Sequence, residues 1–179
     1  SDVQVVGDGN VNLGVAQAEA GDVAAALKSY EGALAHRPDF AEAHNNRGNA
    51  LRALGRREEA EAAFARAIAL QPEYAEAHNN LGNLQRDAGR LADAEASYKR
   101  SLAIRPGEVG ALFNLTTVLE EQGKLDEAET IVEQAMQAAL RVLAVEPDNA
   151  EAENVLGLAL VARGRGEEAV AAFTRATAK

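Results

Sequence analysis

With 179 residues, a formal net charge of −10 and no cysteine, the chain can have neither disulfides nor cysteine metal sites. Its acidity repels phosphate backbones and anionic lipid, so no nucleic acid and no membrane surface is expected as a partner, and no basic run offsets that sign. Aromatics supply only 4% of residues, and alanine leads the apolar set, which favours many thin helix contacts over one large core.

No stretch approaches the roughly 18–20 apolar residues of a membrane span, and the amino end lacks a basic segment followed by an apolar one. The sequence begins at Ser1 without methionine, as expected of a processed chain or of a piece of a longer one. The compartment expected by default is cytoplasmic, with periplasm or secretion left open.

A lead segment, 1–6, precedes a first unit at 7–40, and from there a 34-residue step repeats. Leu13-Gly14, Arg47-Gly48 and Leu81-Gly82 keep it, as do Gly21, Gly55, Gly89 and Gly123, and then Pro38, Pro72 and Pro106. A fixed period of this length predicts stacked helical hairpins, because one such unit cannot bury its apolar face alone. The second unit, 41–74, opens with the helix former AEAHNNRGNALRAL, stopped by Gly55 in the left-handed region. Its second helix, REEAEAAFARAIAL, has acids in the first turn and Ala60, Phe64, Ala67 and Ile68 on one face. Pro72 closes it. The third unit, 75–108, repeats the design.

The fourth unit, 109–149, departs from it. Thr116 stands in the glycine place, Val132 in the place of a ring, and Pro147 comes seven residues late. Matching RVLAVEP to RAIALQP and RSLAIRP puts the insertion before Arg141, and neither Gly nor Pro occurs between Lys124 and Glu146. One uninterrupted second helix of about 20 residues is predicted, since seven residues shift its apolar face by only about 20°. It is read as a longer helix filling space left by the missing ring, or as an apolar docking lip at Met136, Leu140 and Leu143. The fifth unit, 150–179, ends at Lys179 without a closing proline, from which further repeats, a following domain or an end-to-end contact are expected. Asp39 and Asp148, three residues before Glu42 and Glu151, suggest capping boxes.

Gly14, Gly48, Gly82 and Gly157 fall inside helices, at a cost of about 1 kcal/mol each relative to alanine. Close approach of Tyr30, Phe64, Tyr98 or Phe173, sixteen residues on, is the expected compensation. Leu81, Gly82, Ala94, Tyr98 and Pro106, with Ala26-Tyr30-Ala33, Ala60-Phe64-Ala67 and Ala169-Phe173-Ala176, resemble the tetratricopeptide repeat pattern over nearly the whole chain. The resemblance implies an all-α, right-handed superhelical solenoid of antiparallel helix pairs, five units long. First helices would line its concave groove.

Asn12, Asn46, Asn80 and Asn114 recur at the same step on the first helices, and in the arrangement the resemblance implies they form a ladder along the groove. A primary amide both donates and accepts, so it can pair with the backbone of an extended peptide whatever that peptide's side chains. The superhelix of O-GlcNAc transferase is similar in carrying such a ladder, although asparagine here is also common in the family at large. Asn45, Asn49, Asn79 and Asn83 flank the ladder, with Arg52 and Arg86 one turn on. Those arginines are read first as solvated charges beside neighbouring acids, and second as a preference for acidic segments.

The lysine and arginine clamp of chaperone-tail binders is absent. Val11, Asn45, Asn79 and Phe113 stand where its first lysine would be, which disfavours that partner. His44 and His78, in equivalent places about 8–10 Å or more apart, cannot share a zinc with bonds of ~2 Å. No catalytic constellation, metal site or cofactor is expected. The function expected is protein or peptide binding. The alternatives are a substrate-recruiting arm of a larger enzyme, such as an O-GlcNAc-transferase-like glycosyltransferase, and a scaffold that self-associates through the chain end or the fourth unit.

Overall fold

The computed structural model describes residues 2–177, so Ser1 of the lead and the last two residues of the fifth unit lie outside the described residues. Ten α-helices and no strand occur among the described residues: α1 Asp2–Glu19, α2 Val23–His36, α3 Ala41–Ala53, α4 Arg57–Leu70, α5 Ala75–Asp87, α6 Leu91–Ile104, α7 Val109–Glu121, α8 Leu125–Val145, α9 Ala150–Ala162 and α10 Gly166–Thr177. Residues 2–6, set apart as a lead, are part of α1.

Glycine ends the first helix of each pair. Gly21, Gly55, Gly89, Gly123 and Gly164 all have φ between 70° and 83°, the left-handed conformation that an L side chain disfavours. The turns on the far side of each pair are held differently. The imidazole Nε2 of His44 donates to the Pro38 carbonyl at 2.9 Å, and that of His78 to the Pro72 carbonyl at 3.0 Å, so these histidines pin a helix start to the turn before it.

The capping boxes expected at Asp39 and Asp148 do not form. Phe40 is the N-cap of α3 and makes no side-chain cap bond, while Asn149 caps α9 by accepting from the Ala152 amide at 2.9 Å. In both cases the chain enters the helix one residue later than the spacing implied, which moves each aspartate off the cap.

The helices form two compact units, divided between Ala88 and Gly89. Unit 1 holds α1–α5, each packed on the next, and its first helices also touch, α1 on α3 and α3 on α5. Its core gathers Val11, Leu27, Tyr30, Leu51, Phe64 and Leu84 among small alanines. The internal glycines explain how the helices come so close. A Cβ built on Gly14 would stand 2.5 Å from the Tyr30 ring, and one on Gly48 2.5 Å from the Phe64 ring. Ring and backbone therefore occupy space that any other residue would deny them.

Unit 2 holds α6–α10, again packed in succession, with α7 touching α9. Gly157 repeats the arrangement, its Cβ position lying 2.5 Å from the Phe173 ring. Between α7 and α8 there is no such pair. Thr116 is buried and donates its hydroxyl to the Leu112 carbonyl at 3.0 Å, and Val132 is buried opposite. α8 runs unbroken for 21 residues, burying Ala128, Val132, Ala135, Ala138 and Ala139. Unit 2 is further tied by Glu95, which accepts from Lys99 at 2.5 Å and Lys124 at 2.6 Å, and by Glu153, which accepts from both Nε and a terminal nitrogen of Arg175 at 2.5 and 2.9 Å.

Candidate functional site

The first-helix face of unit 1 carries most of the asparagines, and they differ sharply in what they have left to offer. Asn45 has no exposed surface. Its amide nitrogen donates to Glu76 Oε1 at 2.9 Å and to the Tyr74 hydroxyl at 3.4 Å, and its oxygen accepts from Asn80 Nδ2 at 3.0 Å. This residue is a buried tie between α3 and α5, so its place among the groove residues is corrected: no peptide can reach it. Asn80 spends one donor on that tie and keeps the rest of its amide half-exposed.

Asn46 and Asn49 lie on the same helix as Asn45 and are half-buried, yet neither makes a side-chain hydrogen bond among the described residues. The helix turns Asn46 about 100° away from Asn45, whereas Asn49, four residues on, lies within about 40° of it and is set apart by its position one turn further along α3. Asn12 is exposed on α1, and Asn79 and Asn83 are half-buried on α5. Arg52 is committed to Asp87, with Nε and a terminal nitrogen 2.9 and 2.8 Å from Oδ2. Arg86 is half-buried, and it has no ion pair among the described residues. The face therefore offers accessible amides and one uncommitted guanidinium.

In unit 2 the corresponding register reads differently. Asn114 is half-buried on α7, and Phe113 beside it occupies the place that Asn45 holds in unit 1. Three residues beyond the ladder stand Thr117 and Leu158, and six beyond stand Glu120 and Val161, where unit 1 has Asn49 or Asn83 and Arg52 or Arg86. Phe113, Thr117, Leu158, Glu120 and Val161 line an open cavity of about 240 Å³ between α7, α8 and α9. The sequence reading missed it, although the lost glycine and ring at Thr116 and Val132 were its signal.

The residues expected to form a docking lip differ in exposure. Met136 and Leu143 are half-buried against the unit 2 core, and Leu140 is 50% exposed. Met136 and Leu140 border one groove with Leu156, Leu160 and Arg175, which Leu143 does not line.

The described residues hold no cluster of three or more His, Asp or Glu side chains placed to bind a metal ion. Among them, no helix is long and apolar enough to cross a membrane. Lys124 and Lys99 hold the Glu95 carboxyl at about 2, well below its ordinary value, through direct hydrogen bonds. This ties neighbouring helices together and presents no reactive group.

Hairpins repeated at one period, closed by a glycine–ring contact and presenting one helix of each pair, define a helical-repeat protein. Tetratricopeptide repeat family models match residues 11–72, 47–109 and 117–179, and a second such model matches 85–141. The chain belongs to the tetratricopeptide repeat family. No curated protein sequence matches it. Among solved structures it is similar to TTC0263, a thermophilic TPR protein of Thermus thermophilus, at 25% identity and a TM-score of 0.73, over 95% of this chain and 89% of that one. It is also similar to YrrB, described as a TPR protein with an unusual peptide-binding site, at 20% identity and TM-score 0.63 over 93% of this chain and 82% of that one. The first TPR domain of Spaghetti (RPAP3), solved with the HSP90 peptide SRMEEVD, is 21% identical with TM-score 0.65, covering 67% of this chain and 95% of that one.

Proposed function

We propose that the chain is a non-catalytic binding scaffold that holds an extended segment of a protein partner against the first-helix face of unit 1, where amide side chains pair with the segment's backbone. The observation that carries this reading is the pair Asn46 and Asn49, accessible amides with no side-chain hydrogen bond among the described residues, on the same helix as an asparagine whose amide is consumed. Amides that served only the fold would be expected to be partnered as Asn45 is. Asn12 and the free half of Asn80 extend the row within unit 1, and Asn114 repeats it in unit 2.

Peptide binding by proteins of the same fold, YrrB and Spaghetti, supports the class of ligand. The HSP90 peptide itself is not carried over, because Val11, Asn45, Asn79 and Phe113 stand where a chaperone-tail clamp would have its lysine. Arg86 adds a preference for segments with some acidic character.

The test is a library of blocked decapeptides with varied side chains, measured against the natural chain and against Asn46→Ala/Asn49→Ala. Losing two backbone pairings of about 0.5–1.5 kcal/mol each lowers all affinities together by roughly tenfold, with the melting curve unchanged. Affinities that stay the same, or that fall only for particular side chains, reject backbone gripping.

A further inference from the structure

The fourth repeat lacks both halves of the contact that closes its neighbours, and the space is not refilled. Val132 is shorter than the rings at Phe64 or Phe173, and the Thr116 methyl and hydroxyl stand where those repeats have bare glycine. The cavity between α7, α8 and α9 is lined by both of them.

Its walls present carbon. The hydroxyls of Thr116 and Thr117 donate to the Leu112 and Phe113 carbonyls of their own helix, at 3.0 and 3.1 Å, which commits both protons to the helix and leaves neither to donate to a ligand. Leu158 is 38% and Val161 56% exposed at the mouth, a local concentration of apolar surface in contact with water. Polarity enters at one side. Glu120 is exposed on the rim, and it also borders an adjoining depression lined by Glu129 and by Leu125, itself 65% exposed. Neither carboxylate has an ion pair among the described residues, and Arg163, which borders the same depression, is taken by Glu133 at 2.8 Å.

We propose that this cavity is a second docking site, confined to unit 2, for a protein segment that inserts one bulky aliphatic or aromatic side chain and sets a lysine or arginine beside it. The apolar walls select the anchor, because its burial removes carbon surface from water on both partners. The unpaired carboxylates of Glu120 and Glu129 select the neighbouring cation and disfavour an acid there. This site does not rest on the amide face of unit 1 and has the opposite sign preference, since Glu120 stands at the register of Arg52 and Arg86.

The test uses the full chain and three blocked hexapeptides, Gly-Gly-Leu-Arg-Gly-Gly, Gly-Gly-Leu-Glu-Gly-Gly and Gly-Gly-Ala-Arg-Gly-Gly, titrated by amide chemical shift. The first moves the resonances of Thr117, Glu120 and Leu158. Replacing its leucine by alanine weakens binding on the order of tenfold, and replacing its arginine by glutamate weakens it about threefold. Thr116→Gly/Val132→Phe rebuilds the ring contact, fills the cavity and removes binding. Glu120→Lys, on an exposed position, keeps the fold and reverses the choice between arginine and glutamate. It decides the matter if the double variant does not fold. Read at the Thr117, Glu120 and Leu158 resonances, the three affinities are the same in Asn46→Ala/Asn49→Ala, whereas shifts on the unit 1 face weaken in that variant, so the two sites fail or stand separately. Equal affinities for the three peptides, shifts confined to other residues, or unchanged preference in Glu120→Lys overturns the proposal.

Discussion

In unit 1 the first-helix register reads Asn46, Asn49, Arg52 and again Asn80, Asn83, Arg86; in unit 2 the same places read Asn114, Thr117, Glu120 and then Val155, Leu158, Val161. One backbone design thus presents an amide-rich face with guanidinium groups in one unit and an apolar cavity with a carboxylate rim in the other. The place beside the ladder makes the contrast plainest. Asn45 is a buried hub that ties two helices by hydrogen bonds, while Phe113 lines open space. A repeat fixes where side chains stand, and the identity of a few of them sets whether that place is structural or available.

The largest expected effect tests whether the ring contact is what closes a repeat. Phe64→Ala empties a fully buried site and lowers stability by about 3–5 kcal/mol, whereas Val132→Ala, beside an open cavity, costs roughly 1–2 kcal/mol by the same cavity reasoning. Denaturant unfolding of the two variants measures the difference, and equal losses would mean that the fourth repeat is closed as tightly as the second.

Asn45→Ala comes next. It removes the acceptor of Asn80 Nδ2 and the donor to Glu76, for a loss of about 1–3 kcal/mol in the same unfolding experiment. A smaller net effect follows from Gly48→Ala, where overpacking against Phe64 of about 1–3 kcal/mol is partly offset by a helix-propensity gain of about 1 kcal/mol. The loss is therefore about 0–2 kcal/mol on those two principles together, and a stabilised variant would show that the ring can give way.

The Glu95 tie lies within unit 2, and pH isolates its contribution. Its carboxyl is held at about 2, so the stabilisation is fully present above the ordinary value near 4.5 and fades as pH falls through about 2. Melting temperatures of the natural chain and Glu95→Gln should differ most above pH 5 and converge near pH 2; a constant gap rejects the ion pair as its source. Smallest is Arg52→Ala. The partly exposed pair with Asp87 contributes at most about 1 kcal/mol, so stability hardly changes in the same unfolding experiment.

Much of the fold was legible because it is written locally and repeatedly. Gly55 and its equivalents announce the helix ends, and glycine in register with a ring sixteen residues later announces a close approach seen at Gly14, Gly48 and Gly157. The capping boxes were misread because Asp39 and Asp148 stand one residue ahead of the true caps, a shift that spacing alone does not resolve. The site was legible only as a set of places. Asn45, Asn46 and Asn49 look alike in the sequence, and helical spacing does not show that Leu143 lies outside the groove that Met136 and Leu140 share.

The amino-acid order by itself determined the period, the hairpin, the all-α class and the repeat in which the pattern fails, since each depends on residues within one unit and on the intrinsic limits of glycine, proline and alanine. Only the tertiary structure decided which amides remain accessible and that the failed contact leaves a cavity. Both depend on side chains some thirty residues apart, brought together by helix packing, and hydrogen-bond saturation and enclosed volume exist only once those partners are in place.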